Sequence, residues 1–242
     1  MKDIQIESKL IGPTHKPFII AEMSGNHNQS LNRSLSIVRA AAKAGVDALK
    51  IQTYTPETMT LDSDKEDFIV ANELWKGKPL FQLYQEAYTP WEWHEPIFTL
   101  CKDLGIIPFS TPFDETSVDF LESLHVPCYK IASFENTDLP LIRYVASKNK
   151  PMIISTGMAT IGEIEQLVKV VREAGCEDII LLKCTSSYPA SPASSNLNTI
   201  PYLKELFQCQ VGLSDHTLGI GAAVASVSLG AKKKEKHFTL NR

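Results

Sequence analysis

One pattern constrains this chain more than any other: short apolar runs alternate with amphipathic stretches, eight times over. The apolar runs occupy residues 17–23, 48–53, 106–111, 127–133, 151–157, 178–186, 210–217 and 231–239. Helical spacing is clearest in 31–45, which Gly45 stops, and in 161–175, and Pro90 opens another helix that Gly105 ends. Strands that are apolar on both faces and strictly alternate with helices imply a parallel sheet covered by helices. Eight of them favour a closed (β/α)8 TIM barrel over an open doubly wound sheet, and no GxGxxG follows the first strand. The expectation is a single barrel domain over residues 1–242, with a short strand at 4–10 capping its start and an aromatic, charged excursion at 54–89. The chain stops directly after the eighth strand, so the barrel is expected to be truncated there, as part of a longer protein.

In such a barrel the chemistry collects at the C-terminal strand ends. Those ends carry Glu22, Asn26 and His27; Lys50 and Gln52; Ser110 and Thr111; Lys130, Ser133 and Glu135; Ser155 and Thr156; Lys183, Thr185 and Ser186; Ser214 and His216; Glu235 and His237. Lys50, Lys130 and Lys183 sit in runs that should be buried, where a charge is costly unless it is answered. A structural salt-bridge network is one explanation. An anionic ligand with a phosphate and a carboxylate is the other, with Ser133, Ser155, Ser186 and Ser214 as neutral donors to the same oxygens. Glu22, Glu135 and Glu235 are acid–base candidates.

Two strands finish on histidine, and alternation puts Ser214 with His216 on one face and Glu235 with His237 on one face. If those strands are parallel neighbours, both imidazoles reach the same rim, close enough to hold one metal ion; each could equally be a satisfied structural residue. A Ser-His pair two apart on one strand does not make a hydrolytic triad.

A net charge of −4 gives no support to a nucleic-acid or anionic-membrane surface. Five scattered cysteines without a CxxC pair suit a reducing compartment, and the N-terminus has no apolar signal core. A cytoplasmic protein is expected.

Eight segments resemble the sialic acid synthase family, in the family's order and over nearly the whole chain. They are IIAEMSGNHN (19–28), ALKIQT (48–53), FSTPFD (109–114), YKIASFE (129–135), PMIISTGM (151–158), LLKCTSSYPA (181–190), GLSDHTLG (212–219) and EKHFTL (235–240). Within the family, residues 75–94 and 131–146 are most similar to the pseudaminic acid synthase branch, with N-acetylneuraminate and legionaminate synthases sharing most motifs. The resemblance implies condensation of phosphoenolpyruvate with an acetamido-sugar aldehyde, here 2,4-diacetamido-2,4,6-trideoxy-L-altrose, and release of phosphate. It implies that His216 and His237 bind a divalent cation, usually manganese. It implies that Lys50, Lys130, Ser133, Ser155, Ser186 and Ser214 hold phosphoenolpyruvate, and that Gln52, Asn72, Thr111, Glu135 and Tyr188 face the sugar. The family often has Asn where this chain has Ser186. Glu22 is assigned as the base that deprotonates water. A metal-dependent hydrolase and a non-catalytic sugar-acid binding protein are the alternatives on the same fold.

Two departures stand out. The family's eighth strand is apolar before its Glu-Lys/Arg-His, whereas this chain reads Lys232, Lys233, Lys234. Alternation sends Lys233 inward with Glu235 and His237, which should weaken the strand. The family also continues with a last barrel helix and a small antifreeze-like domain that reaches the partner's active site in a homodimer. Alone, this polypeptide is expected to be poorly active and prone to associate.

Overall fold

The computed structural model describes residues 1–71 and 75–241. A hairpin, β1 (Ile4–Ile6) and β2 (Lys9–Ile11), leads into β3 (Phe18–Glu22), α1 (Leu31–Ala44), β4 (Ala48–Thr53), α2 (Pro56–Met59) and α3 (Leu80–Ala87). There follow α4 (His94–Asp103), β5 (Ile107–Pro112), α5 (Glu115–Ser123), β6 (Tyr129–Ile131), α6 (Leu139–Ala146), β7 (Met152–Ser155) and α7 (Ile161–Glu173). The chain ends with β8 (Ile179–Cys184), α8 (Thr199–Phe207), β9 (Gln210–Asp215), α9 (Gly221–Ser228) and β10 (Lys233–His237). Strands β3 to β10 pair in parallel and close into a barrel, β10 lying between β9 and β3.

Alternation along each strand builds two separate cores. Inward residues Phe18, Ile20, Ala48, Ile107, Phe109, Cys128, Ile153, Ile180 and Leu182 fill the barrel, and Ile4, Ile6 and Ile11 of the hairpin pack against them. The intervening residues, among them Leu49, Ile51, Tyr129, Ile131, Ile154 and Leu181, pack outward against the buried stripes of the helices. Each fully buried aliphatic side chain contributes roughly 1.5–3 kcal/mol, so both layers hold the strand ends firmly in place. Side-chain caps set the helix starts: Ser30 accepts from Arg33 N, and Thr160 and Glu163 form a capping box on α7.

Three local expectations are corrected. The single strand expected at 4–10 is a hairpin, because Glu7 turns in the left-handed region (φ 49°) and Lys9–Ile11 returns along Ile4–Ile6. The excursion at 54–89 contains α2 and α3, and α3 buries none of its residues fully, so no buried stripe marks it among its aromatic and charged neighbours. Pro90 opens a 3-10 turn, Trp91–Trp93, and the α-helix starts only at His94.

Lys232 and Lys234, expected toward the helix layer, are half-buried instead against the segment that leads into β3, Lys232 donating to His15 O at 3.4 Å and Lys234 lining a cleft with Lys16 and Pro17. Lys233 goes inward as expected and is fully buried inside the barrel. Its Nζ lies 5.5 Å from the ring centre of Phe18 and 5.3 Å from that of Phe109, with no hydrogen-bond partner among the described residues. Gly212 makes room for this strand, since a Cβ there would lie 2.4 Å from Lys233 O and 2.8 Å from Lys233 Cβ. Among the described residues no helix is long and apolar enough to cross a membrane.

Candidate active site

Parallel register brings the charged strand ends together at the C-terminal mouth. Glu22 pairs with Lys50 across β3 and β4, and Glu235 with Ile20 across β10 and β3. All of these charged side chains point inward and are buried, at 2% (Glu22), 4% (Lys50), 2% (Lys130) and 5% exposure (Glu235). Lys50 Nζ meets Glu22 Oε2 at 2.6 Å and Glu235 Oε1 at 3.6 Å, and Lys130 Nζ lies 3.8 Å from the same Glu235 oxygen. Hydroxyls complete the ring. Lys50 donates to Thr111 Oγ1 at 3.2 Å, Lys130 to Ser155 Oγ at 2.7 Å, and Ser214 to Glu235 Oε1 at 3.5 Å. Two lysines answered by two glutamates would by themselves be a closed salt-bridge network. Yet Glu235 Oε2 is buried with no hydrogen-bond partner among the described residues, so the cluster is electrically balanced but not satisfied.

Burial and neighbouring charge drive the two carboxylates apart. Desolvation raises the Glu22 pKa, reinforced by the Glu235 charge and opposed by Lys50. Desolvation acts on Glu235 as well, but Lys130 and Lys50 outweigh it and hold that carboxylate ionised. Lys130 goes the other way, its pKa lowered by burial despite Glu235. A pair of groups pushed in opposite directions at one mouth is the pattern of an acid–base site. Glu135, half-buried in the loop after β6, also has its pKa raised by burial.

The two histidines lie on the same rim. Their ring centroids are 5.4 Å apart, and Tyr188 tilts over His216 at 4.1 Å and sets its edge against His237 at 5.8 Å. His216 follows the end of β9 by one residue rather than lying within it. Its Nδ1 donates to the Thr185 carbonyl at 2.9 Å; an oxygen of that kind only accepts, so in the neutral ring Nε2 keeps its lone pair. His237 is exposed at the rim, yet the protein packed around its ring, together with the charges of His216 and Lys50, pulls it down to about 4. Two imidazoles with available nitrogens suit a divalent cation whose remaining ligands are oxygens from outside the chain. Among the described residues no group of three or more His, Cys, Asp or Glu is arranged to hold a metal without such help.

A small-residue wall lies beside the lysines. Gly157 N donates to Ser133 Oγ at 3.1 Å, and a Cβ on Gly157 would lie 2.9 Å from Ser133 Oγ and 2.4 Å from Ser186 Oγ. The bare glycine therefore leaves both hydroxyls the room they occupy. Gln52 is half-buried beside Thr111 in register and accepts from Ser24 at 3.3 Å. Asn72 lies outside the described residues.

Three residues at strand ends turn out to serve other purposes. His27 is fully buried, contacts Thr89 at 3.2 Å and is lowered to about 4 by burial, so it packs the helix layer. Asn26 donates to Phe238 O at 3.0 Å. Lys183, expected among the buried cations, folds back onto Cys184 O (2.7 Å) and Thr185 Oγ1 (3.0 Å), because its neighbours Leu182 and Cys184 hold the inward positions. Three site residues escaped the sequence reading: Gly157, Asn136, which donates to Ser155 O at 3.2 Å, and Cys184, 3.9 Å from His216 Nδ1. Burial works against ionisation of that thiol, but His216 and its other partners bring it down to about 7. The inward phase of β8 was the signal for Cys184; nothing in the sequence singled out Asn136.

The NeuB family pattern matches residues 37–242. Pseudaminic acid synthase of Campylobacter jejuni is 48% identical over 94% of this chain and 66% of its own length. Pseudaminic acid synthase of Helicobacter pylori is 45% identical over 93% of this chain and 66% of its own length. The chain thus spans just under two thirds of these relatives. Among solved structures, the N-acetylneuraminic acid synthetase of Leptospira borgpetersenii superposes with a TM-score of 0.89 at 30% identity, covering 99% of this chain and 79% of that one.

Proposed function

The chain belongs to the NeuB family, and on that premise we propose that it is the barrel of a pseudaminic acid synthase. The reaction is condensation of phosphoenolpyruvate with 2,4-diacetamido-2,4,6-trideoxy-L-altrose, giving a nonulosonic acid and phosphate. One observation carries the reading: the Lys50–Lys130 pair and the His216–His237 pair open onto one mouth, with Glu235 between the lysines and Glu22 against Lys50. Identity of 45–48% to two pseudaminic acid synthases supports this branch of the family.

In this reading Lys50 and Lys130 bind the phosphate and carboxylate of phosphoenolpyruvate, and Ser133, Ser155, Ser186 and Ser214 donate to the same oxygens. Held at both ends, the donor presents its methylene carbon to the aldehyde, an orientation that removes much of the entropic part of the barrier. A divalent cation held by His216 and His237, manganese in our reading, supplies Lewis-acid polarisation of the aldehyde when bound. Gln52, Thr111, Glu135 and Tyr188 face the sugar in this reading, a role the family resemblance implies for Asn72 as well. The methylene carbon bonds to the aldehyde carbon and positive charge develops at the enol-phosphate carbon. The aldehyde's C=O electron pair passes to its oxygen, which takes up a proton. Glu22 takes a proton from the water that adds at the enol-phosphate carbon; the C–O bond then breaks, its electron pair leaving with phosphate, and the remaining hydroxyl gives up its proton to become the keto group. A raised carboxyl pKa suits that duty, because a base poised nearer neutrality accepts the proton with more driving force. Glu235, held ionised, keeps the two ammonium groups fixed in the meantime.

Phosphate release from phosphoenolpyruvate, with manganese present and a panel of acetamido-sugar aldehydes, tests the proposal. Release that depends on the altrose-configured sugar supports it. Release independent of any aldehyde, or turnover of a substrate without phosphoenolpyruvate, overturns it.

A further inference from the structure

The lysines entering β10 diverge. Lys233 goes into the barrel, and Lys234 goes to a cleft of about 630 Å³ at the end of the barrel opposite the mouth. The cleft runs between the hairpin, the segment that leads into β3, and the turn from α1 to β4; Lys9, His15, Lys16, Phe18, Asp47 and Lys234 line it. Asp47 is the only carboxylate among those lining residues, and both its oxygens are taken. Oδ1 pairs with Lys9 at 2.8 Å and Oδ2 accepts from Ile19 N at 2.9 Å. Lys9 and Asp47 therefore cancel.

His15 is itself answered by Asp3, 2.8 Å away, which leaves the other two lining lysines as the uncancelled charges. Lys16 and Lys234 form no ion pair among the described residues, and Lys232 reaches the same wall by donating to His15 O at 3.4 Å. Partial burial lowers the Lys234 pKa, a penalty that a bound anion would reverse. This concentration of ammonium groups is set in a chain of net charge −4, and Leu10, Pro17, Phe18 and Ile19 give the cleft an apolar floor. Uncancelled cations around a concave, partly apolar surface suit a phosphate group carried on a small molecule better than bulk counter-ions.

We propose that this cleft binds a compact phosphate-bearing anion, at a site separate from the mouth and independent of the reaction proposed above. A second explanation exists, since α1 ends at Gly45 on the cleft wall and cations favour a helix C-terminus. Calorimetric titration with inorganic pyrophosphate at low ionic strength separates the two. The comparison uses the unaltered chain, Lys130→Met at the mouth, and Lys16→Gln with Lys234→Gln at the cleft. A binding event retained in Lys130→Met and weakened at least about tenfold in the cleft double variant is the expected result. Binding lost in Lys130→Met but unchanged in the cleft variant overturns the proposal, as does no binding at all. Lower thermal stability of the cleft variant without a pyrophosphate site would assign the lysines to the helix end and also overturn it. Lys16 is exposed, so Lys16→Gln alone, read for a threefold or greater loss, serves if the double variant does not fold.

Discussion

Glu22 and Lys50 meet at 2.6 Å on adjacent strands, both buried, and neither is expensive there only because the other is present. Glu22 nonetheless keeps a raised pKa, since desolvation outweighs the lysine and Glu235 repels a second negative charge. A carboxylate so placed is poised to exchange a proton at the barrel mouth.

Glu22→Gln should therefore lower kcat for the proposed condensation by roughly 10²–10⁴ with the fold retained. In the unaltered enzyme the acid limb of the pH–rate profile should lie above the ordinary carboxylate range, with activity lost as pH falls through the raised pKa. Steady-state kinetics at saturating substrates checks both. Unchanged kcat in Glu22→Gln would remove it as the base.

Lys233 makes a stability prediction with a definite sign. Burial lowers its pKa to about 7 from 10.5, so between those values the unfolded chain binds more protons than the folded one. Stability should rise with pH through that window, and the penalty should be full at and below about pH 7. By linkage it amounts to at most about 5 kcal/mol. Lys233→Met should raise the denaturation midpoint near pH 7 and flatten the pH dependence from 7 to 10. Denaturant titrations at several pH values read this directly; identical slopes in the two proteins would contradict it.

Manganese binding should depend on both imidazoles and on one of their protonation equilibria. His237 is neutral near pH 7, whereas the His216 pKa is raised: burial opposes protonation, but Cys184 and the Thr185 carbonyl outweigh it. Ligation needs an unprotonated ring, so affinity should fall as pH drops through the His216 value, while His237 sets no limit until about 4. His216→Ala and His237→Ala should each weaken binding by more than about tenfold. Electron paramagnetic resonance of free manganese during titration measures all three; full affinity in either variant would exclude that ring.

Gly157→Ala places a methyl group 2.4 Å from Ser186 Oγ and 2.9 Å from Ser133 Oγ, so one or both hydroxyls must move. The expected result is a rise of about tenfold or more in KM for phosphoenolpyruvate with a smaller change in kcat, the signature of lost donor binding. An unaltered KM would mean that these hydroxyls do not touch the donor.

Much of this was written in the chain itself. Eight apolar runs with helices between them specify strands and closure, because the connecting helices cover one face of a parallel sheet and the other is buried when the sheet closes on its own side chains. Period-two alternation placed Lys50, Lys130 and Glu235 inward without any coordinates, whereas His237, at the very end of its strand, stands exposed at the rim. The sequence could not say that Lys183 would turn back on Thr185, or that Glu7 would fold the first strand into a hairpin. Those outcomes turn on a single dihedral angle and on which neighbours fill the inward positions. Strand position and motif match assigned Glu22 as the base, but they could not say how the protonation of Glu22 and Glu235 would differ. Both are glutamates at inward strand ends; only the distances to two lysines decide that one stays ionised while the other is pushed toward its proton, and distances across a closed barrel belong to the tertiary structure alone.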